Sequence, residues 1–252
     1  MVVNAVAGSS RPSPSLSAKE IHNKLQELPG PLFHPPSPTE YKGKVPRLQS
    51  AIADLRLHPL LEESLHLMNY SLVEPHFYLR KMQNSRGGQH LHGILHRIEG
   101  DYENARTWYR EASGTETPAQ DVTRTEGQDV FVRFWSRQTR LLVDTDAEDI
   151  EDEAQLARAA GIAFIDQVEK MKKESKGQVF DAGLGTLERQ ELEWISKAEL
   201  NTVVEWAGST FGWKDWGRGE GYAKDASDAY TGNTEEQREI FKKQSGEGIR
   251  KF

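Results

Sequence analysis

The stretch QHLHGILHRIEGDYENARTWYREA, Gln89 to Ala112, decides the fold class. Advancing about 100° per residue, Leu91, Ile94, Leu95 and Ile98 gather on one apolar arc, and His92, His96 and Glu99 form a stripe beside it. Gly100-Asp101-Tyr102 marks a turn, after which Ala105, Tyr109 and Ala112 recur at helical spacing. The pattern predicts two helices joined by a tight connection.

Working outward, the same period persists from Leu48 onward, with no convincing alternating run bounded by turn signals. Helices are predicted over 48–57, 59–69, 75–84, 88–98, 101–112, 129–142, 147–173, 186–206 and 234–244. The fold class expected is all-α, a single helical-bundle domain over 48–206. A Pro-rich arm, 1–47, precedes it, and a Gly/aromatic strap with a final helix, 207–252, follows. Eight of the eleven prolines fall in the arm, where Ser17 and Glu20 make a capping box for one helix carrying Ile21, Leu25 and Leu28. Leu32, Phe33 and Tyr41 give the arm apolar groups with which to drape over the body. In the strap, Trp213, Trp216 and Tyr222 sit among glycines, and such large side chains ordinarily bury against something.

Composition narrows the function. The chain has 252 residues, 32 basic and 39 acidic, for a formal charge of −7, which argues against a general phosphate-neutralising surface and hence against nucleic acid. Cysteine is missing, so disulfides, thiolate nucleophiles and cysteine-ligated metal centres are excluded. No run reaches the roughly 18 apolar residues of a membrane span, and the first ten residues lack a basic n-region. A cytoplasmic location without membrane attachment is the resulting expectation. A Ser-centred nucleophile elbow is also lacking.

Residues 89–112 resemble a tetratricopeptide-type helical hairpin. Gly93 matches the small residue of that repeat's first helix, Gly100-Asp101-Tyr102 its turn, and Ala105, Tyr109 and Ala112 positions of its second helix. No second copy occurs, and a solenoid needs about three. In the repeat, the places held here by His92 and His96 are apolar or aromatic and pack on the second helix. The stretch also resembles a group of small microbial and fungal helical proteins, from which no reaction carries over.

All eight histidines lie at or before position 96, and His66, His76, His90, His92 and His96 fall within 31 residues. His92, His96 and Glu99, at i, i+4 and i+7, project from successive turns of one face, the spacing that lets a helix offer two imidazoles and a carboxylate to one metal ion. A second set, Glu62, His66 and Asn69, is opposite an apolar arc and is expected to be solvated. On 186–206, Glu188, Glu191 and Glu199 fall inside the predicted buried face, and inward carboxylates need partners; His92, His96, Arg80, Arg97 and Arg133 can supply them. Structural salt bridges, a metal site and acid–base catalysis without metal remain open. The functional expectation is a His/Glu-lined pocket that binds or transforms a small molecule. His92, His96 and Glu99 carry the chemistry or hold a divalent metal, while Trp108, Tyr109, Glu188, Glu191 and Glu199 line the pocket with the strap aromatics. The alternative is an adaptor that holds a partner peptide.

Overall fold

The structure is a computed structural model that describes residues 16–33, 43–83, 85–115, 127–142, 152–174 and 186–216. Among these residues the protein is all-α, with no strand. The helices are α1 (Ala18–Leu25), α2 (Pro46–Leu55), α3 (Pro59–Met68), α4 (Val73–Leu79), α5 (Arg86–Glu99), α6 (Tyr102–Ser113), α7 (Gln128–Trp135), α8 (Thr139–Leu142), α9 (Glu153–Glu174) and α10 (Thr186–Phe211). One 3-10 turn, Ser136–Gln138, joins α7 to α8. No described helix is long and apolar enough to cross a membrane. The expected helix 234–244, Tyr41 and Tyr222 lie outside the described residues.

Local chemistry sets the helix ends. Ser17 and Glu20 close the capping box of α1 reciprocally. Pro46 and Pro59 open α2 and α3, where a missing N–H costs nothing. His58 Nδ1 accepts the Leu60 N–H at 3.3 Å, and Ser85 Oγ accepts the Gly88 N–H at 3.0 Å. Gly100, at φ 89°, takes the left-handed conformation that ends α5, and Asp101 then caps α6.

α5 lies at the centre, contacted by α3, α4, α6 and α7, and every residue from Arg86 to Ile98 is buried. α9 closes over α6 and α7, and α10 packs on α3 and α7. The arm belongs to this body: Ala18, Ile21, Leu25 and Leu32 are buried, and the Tyr70 hydroxyl donates to the Gly30 carbonyl at 3.2 Å. α10 runs five residues past the predicted end at 206, absorbing the start of the strap. Trp213 then packs beside Gly208 and faces His22, with ring centroids 5.6 Å apart. The Trp216 ring meets His58 edge-on at 4.5 Å, and the Trp216 backbone N–H donates to the Arg56 carbonyl at 2.9 Å.

The expectation that Glu62, His66 and Asn69 are solvated is overturned, since all three are buried. α3 is covered by α2, α4, α5 and α10, so it has no solvent face opposite its apolar arc. Asn69 clamps the chain entering α2, accepting the Val45 N–H at 3.0 Å and donating to the Val45 carbonyl at 3.2 Å.

Two glycines grip Tyr109. A Cβ on Gly93 would lie 2.4 Å from Tyr109 Cδ2, and one on Gly161 would lie 2.7 Å from Cδ1 on the other edge. The ring cannot yield, because its hydroxyl is tied to Glu199 at 2.5 Å. Gly93→Ala should therefore destabilise the protein by about 1–3 kcal/mol from overpacking, even though alanine favours a helix by about 1 kcal/mol. Urea unfolding checks this, and an unchanged or raised midpoint would refute the clamp.

Candidate functional site

α5 carries two polar stripes, and they face different neighbours. His90 and Arg97, seven residues apart, share one side, while His92, His96 and Glu99 occupy another about 200° around the helix. The first stripe meets α10 and the second meets α4.

On the first side, Glu199 is completely buried and accepts four hydrogen bonds. His90 Nε2 lies 2.8 Å, the Tyr109 hydroxyl 2.5 Å and Trp135 Nε1 3.2 Å from Oε1, while Arg97 Nη2 lies 2.9 Å from Oε2. Arg97 also donates to the Pro31 carbonyl at 2.9 Å and to Ser196 Oγ at 3.2 Å, and its guanidinium covers the Phe164 ring at 4.8 Å. Burial alone would raise the Glu199 pKa; the Arg97 charge and the donors from His90 and Tyr109 outweigh it and hold the carboxyl below its ordinary range. The Tyr109 hydroxyl is pushed well above its ordinary value by burial and the adjacent carboxylate. This buried network ties the arm, α5, α6, α7 and α10 together, with Arg97 Nε its one donor without a hydrogen-bond partner among the described residues, and its geometry is that of a structural core.

On the second side, His76 from α4 joins His92 and His96, and one ligating atom from each of the three rings falls within 4.8 Å of the others. Glu99 bridges two of them, with Oε1 3.1 Å from His76 Nδ1 and Oε2 3.1 Å from His96 Nδ1. His92 is sandwiched, stacked on Trp108 at 4.3 Å and on His96 at 4.8 Å between centroids. It is 3% exposed, and neither ring nitrogen has a hydrogen-bond partner among the described residues. The site is reachable from outside, because the side chains of His76 and Glu99 are 28% and 22% exposed.

The electrostatics separate the members. Burial pushes His92 down to about 3, helped by the positive potential of His96, His76 and Arg80, so its imidazole is neutral at pH 7. This is opposite in direction to the rise in basicity expected of a ring beside a carboxylate. Burial pushes Glu99 up, but the hydrogen bonds from His76 and His96 together prevail and bring it to about 2. Glu99 is therefore a carboxylate at neutral pH.

The residues expected to line one pocket are thus divided. His92, His96, Glu99 and Trp108 come together, whereas Tyr109 and Glu199 belong to the other stripe. Consecutive helix residues such as Trp108 and Tyr109 point about 100° apart and cannot line one small cavity together. Glu199 takes His90 instead of His92 or His96 for the same reason. Glu191 is exposed, and the Glu188 side chain lies outside the described residues. Arg133 is exposed and pairs with Asp129. Trp213 and Trp216 pack on His22 and His58 and do not line this site. Reasoning from sequence missed His76, His90 and Trp135. The i, i+7 pairing of His90 with Arg97 and the short connection from α4 to α5 were the available signals.

Comparison with protein-family models, with curated proteins and with solved structures finds no match to this chain.

Proposed function

We propose that this protein binds a divalent transition-metal ion of the zinc class through His76, His92 and His96, and uses it for acid–base chemistry on a small molecule. The convergence of three imidazoles from two helices, with the buried His92 lacking a hydrogen-bond partner among the described residues, carries the reading. Nitrogens around a tetrahedral zinc ion lie about 3.3 Å apart, so the trio, with one ligating atom each within 4.8 Å, would have to draw in to hold an ion. Imidazole donors favour zinc, cobalt, copper or nickel over calcium or magnesium, which take oxygen. A bound ion would also give a partner to one of the two ring nitrogens of His92. When bound, such an ion brings the pKa of its water to about 7, which supplies a base at neutral pH that no unperturbed carboxylate offers.

The adaptor reading has less support. A peptide-holding hairpin needs an open face, and here α5 is buried from Arg86 to Ile98 against the protein's own helices.

Titration of chelator-treated protein with zinc or cobalt, followed by calorimetry, tests the proposal. One ion should bind per chain. His92→Phe keeps an aromatic ring between His96 and Trp108, so the fold should persist by circular dichroism while affinity falls by more than about 100-fold, beyond the 10–100-fold that loss of an orienting neighbour costs. Equal uptake by the variant and the unaltered protein would refute the site.

A further inference from the structure

We infer that Glu99 is a positioning residue and not a metal ligand, and that the fourth place on the ion is left to an exchangeable water or small anion. The inference rests on the metal reading above and departs from the ligand trio His92, His96 and Glu99 that helical spacing suggests.

The argument is one of donors and acceptors. A carboxylate only accepts, so each 3.1 Å contact places a proton on the imidazole Nδ1 of His76 and of His96. Both oxygens of Glu99 are committed in this way. In the neutral form of these rings the Nε2 atoms of His76 and His96 carry the lone pairs, and His92 adds a third donor from a ring whose nitrogens have no hydrogen-bond partner among the described residues. A carboxylate holding the far nitrogen of a ligating imidazole sets the tautomer and ring angle, which is how outer groups tune metal sites. For Glu99 to ligate through either oxygen, that oxygen would have to give up or share the imidazole N–H it now holds, His76 on Oε1 or His96 on Oε2.

Three imidazoles fill three of the four places of a tetrahedral ion, which is the arrangement of zinc sites that keep a position open for reaction. Solvent reaches the site past His76 and Glu99. Arg80, an exposed cation at the end of α4, also acts on His92 electrostatically. A cation at the rim of a doubly charged ion favours a small anion over a cationic or apolar guest.

Two measurements on the full chain test this. In metal-free protein at neutral pH, long-range proton–nitrogen NMR should find Nδ1–H tautomers on His76 and His96, and Glu99→Gln should disturb them. A residue that merely supports the fold would not shift that balance. In cobalt-loaded protein, azide should change the visible spectrum saturably. Glu99→Gln should weaken cobalt affinity by about 10–100-fold while keeping one ion per chain. Nε2–H tautomers on either ring, or a cobalt spectrum indifferent to azide, would overturn the inference while leaving the metal reading standing. Failure of cobalt to bind the unaltered protein would overturn both.

Discussion

Glu199→Gln is expected to destabilise the protein by about 3–5 kcal/mol, the range for removing one partner of a buried ion pair. The carboxylate faces four donors from α5, α6 and α7 in a site without solvent. An amide offers one oxygen and brings an NH2 group that meets further donors, so some of the four must go unpaired. Arg97 would keep its charge while losing its only acidic partner among the described residues. Total stability of a domain is about 5–15 kcal/mol, so the loss is a large share of it. Urea unfolding at pH 7 measures the effect. Arg97→Met alone should cost a similar amount, whereas combining it with Glu199→Leu should recover part of the loss, because apolar replacement of a buried pair is often tolerated. Recovery stays incomplete, since His90, Tyr109 and Trp135 would still point at the vacated acceptor. A loss below about 1 kcal/mol for Glu199→Gln would mean that the network is not a structural anchor.

The second large effect is acid sensitivity that begins near neutrality. Burial holds both His58 and His92 at about 3, against an ordinary 6.5. Between those values the unfolded chain takes up protons that the folded protein refuses, so stability falls as pH falls from 6.5 toward 3 and is flat above 6.5. Each ring contributes a slope approaching about 1.4 kcal/mol per pH unit. Glu99 adds a further loss lower down: its stabilising contribution is complete above 4.5 and disappears as pH drops through about 2. Urea midpoints at pH 7.5, 6 and 5, with chelator present, should show the slope. His92→Phe and His58→Phe should each flatten it by about one ring's share, the contribution one histidine makes to proton linkage. His58→Phe keeps its ring stacked on Phe211 yet loses the α3 cap, so it should also lower stability by about 1 kcal/mol at every pH. Acid slopes identical in all three proteins would show that neither ring is held neutral.

The all-α class was legible because the period of 3.6 runs through nearly every informative segment, and the starts of α1 and α3 followed from Ser17 and Pro59, whereas α2 and α5 each begin two residues before the predicted 48 and 88. The grouping of His92, His96 and Glu99 was legible too, since residues at i, i+4 and i+7 of one helix share a face wherever that helix goes. Glu199 showed as an inward carboxylate because it interrupts an apolar arc.

Which neighbour each stripe meets was decided elsewhere. Periodicity says what lies on one side of α5 but not that α4 brings His76 to one side while α10 brings Glu199 to the other. The burial of Glu62 and His66 likewise follows from helices on every side of α3, a fact outside its own sequence pattern. The arm shows the same limit, since nothing local to Pro31 marks its carbonyl as an acceptor for Arg97, 66 residues away. Sequence by itself determined the faces, because helix geometry is local. Tertiary structure alone decided the partners, because long-range packing selects which faces meet and thereby separates a sealed ion pair from a histidine cluster that solvent can reach.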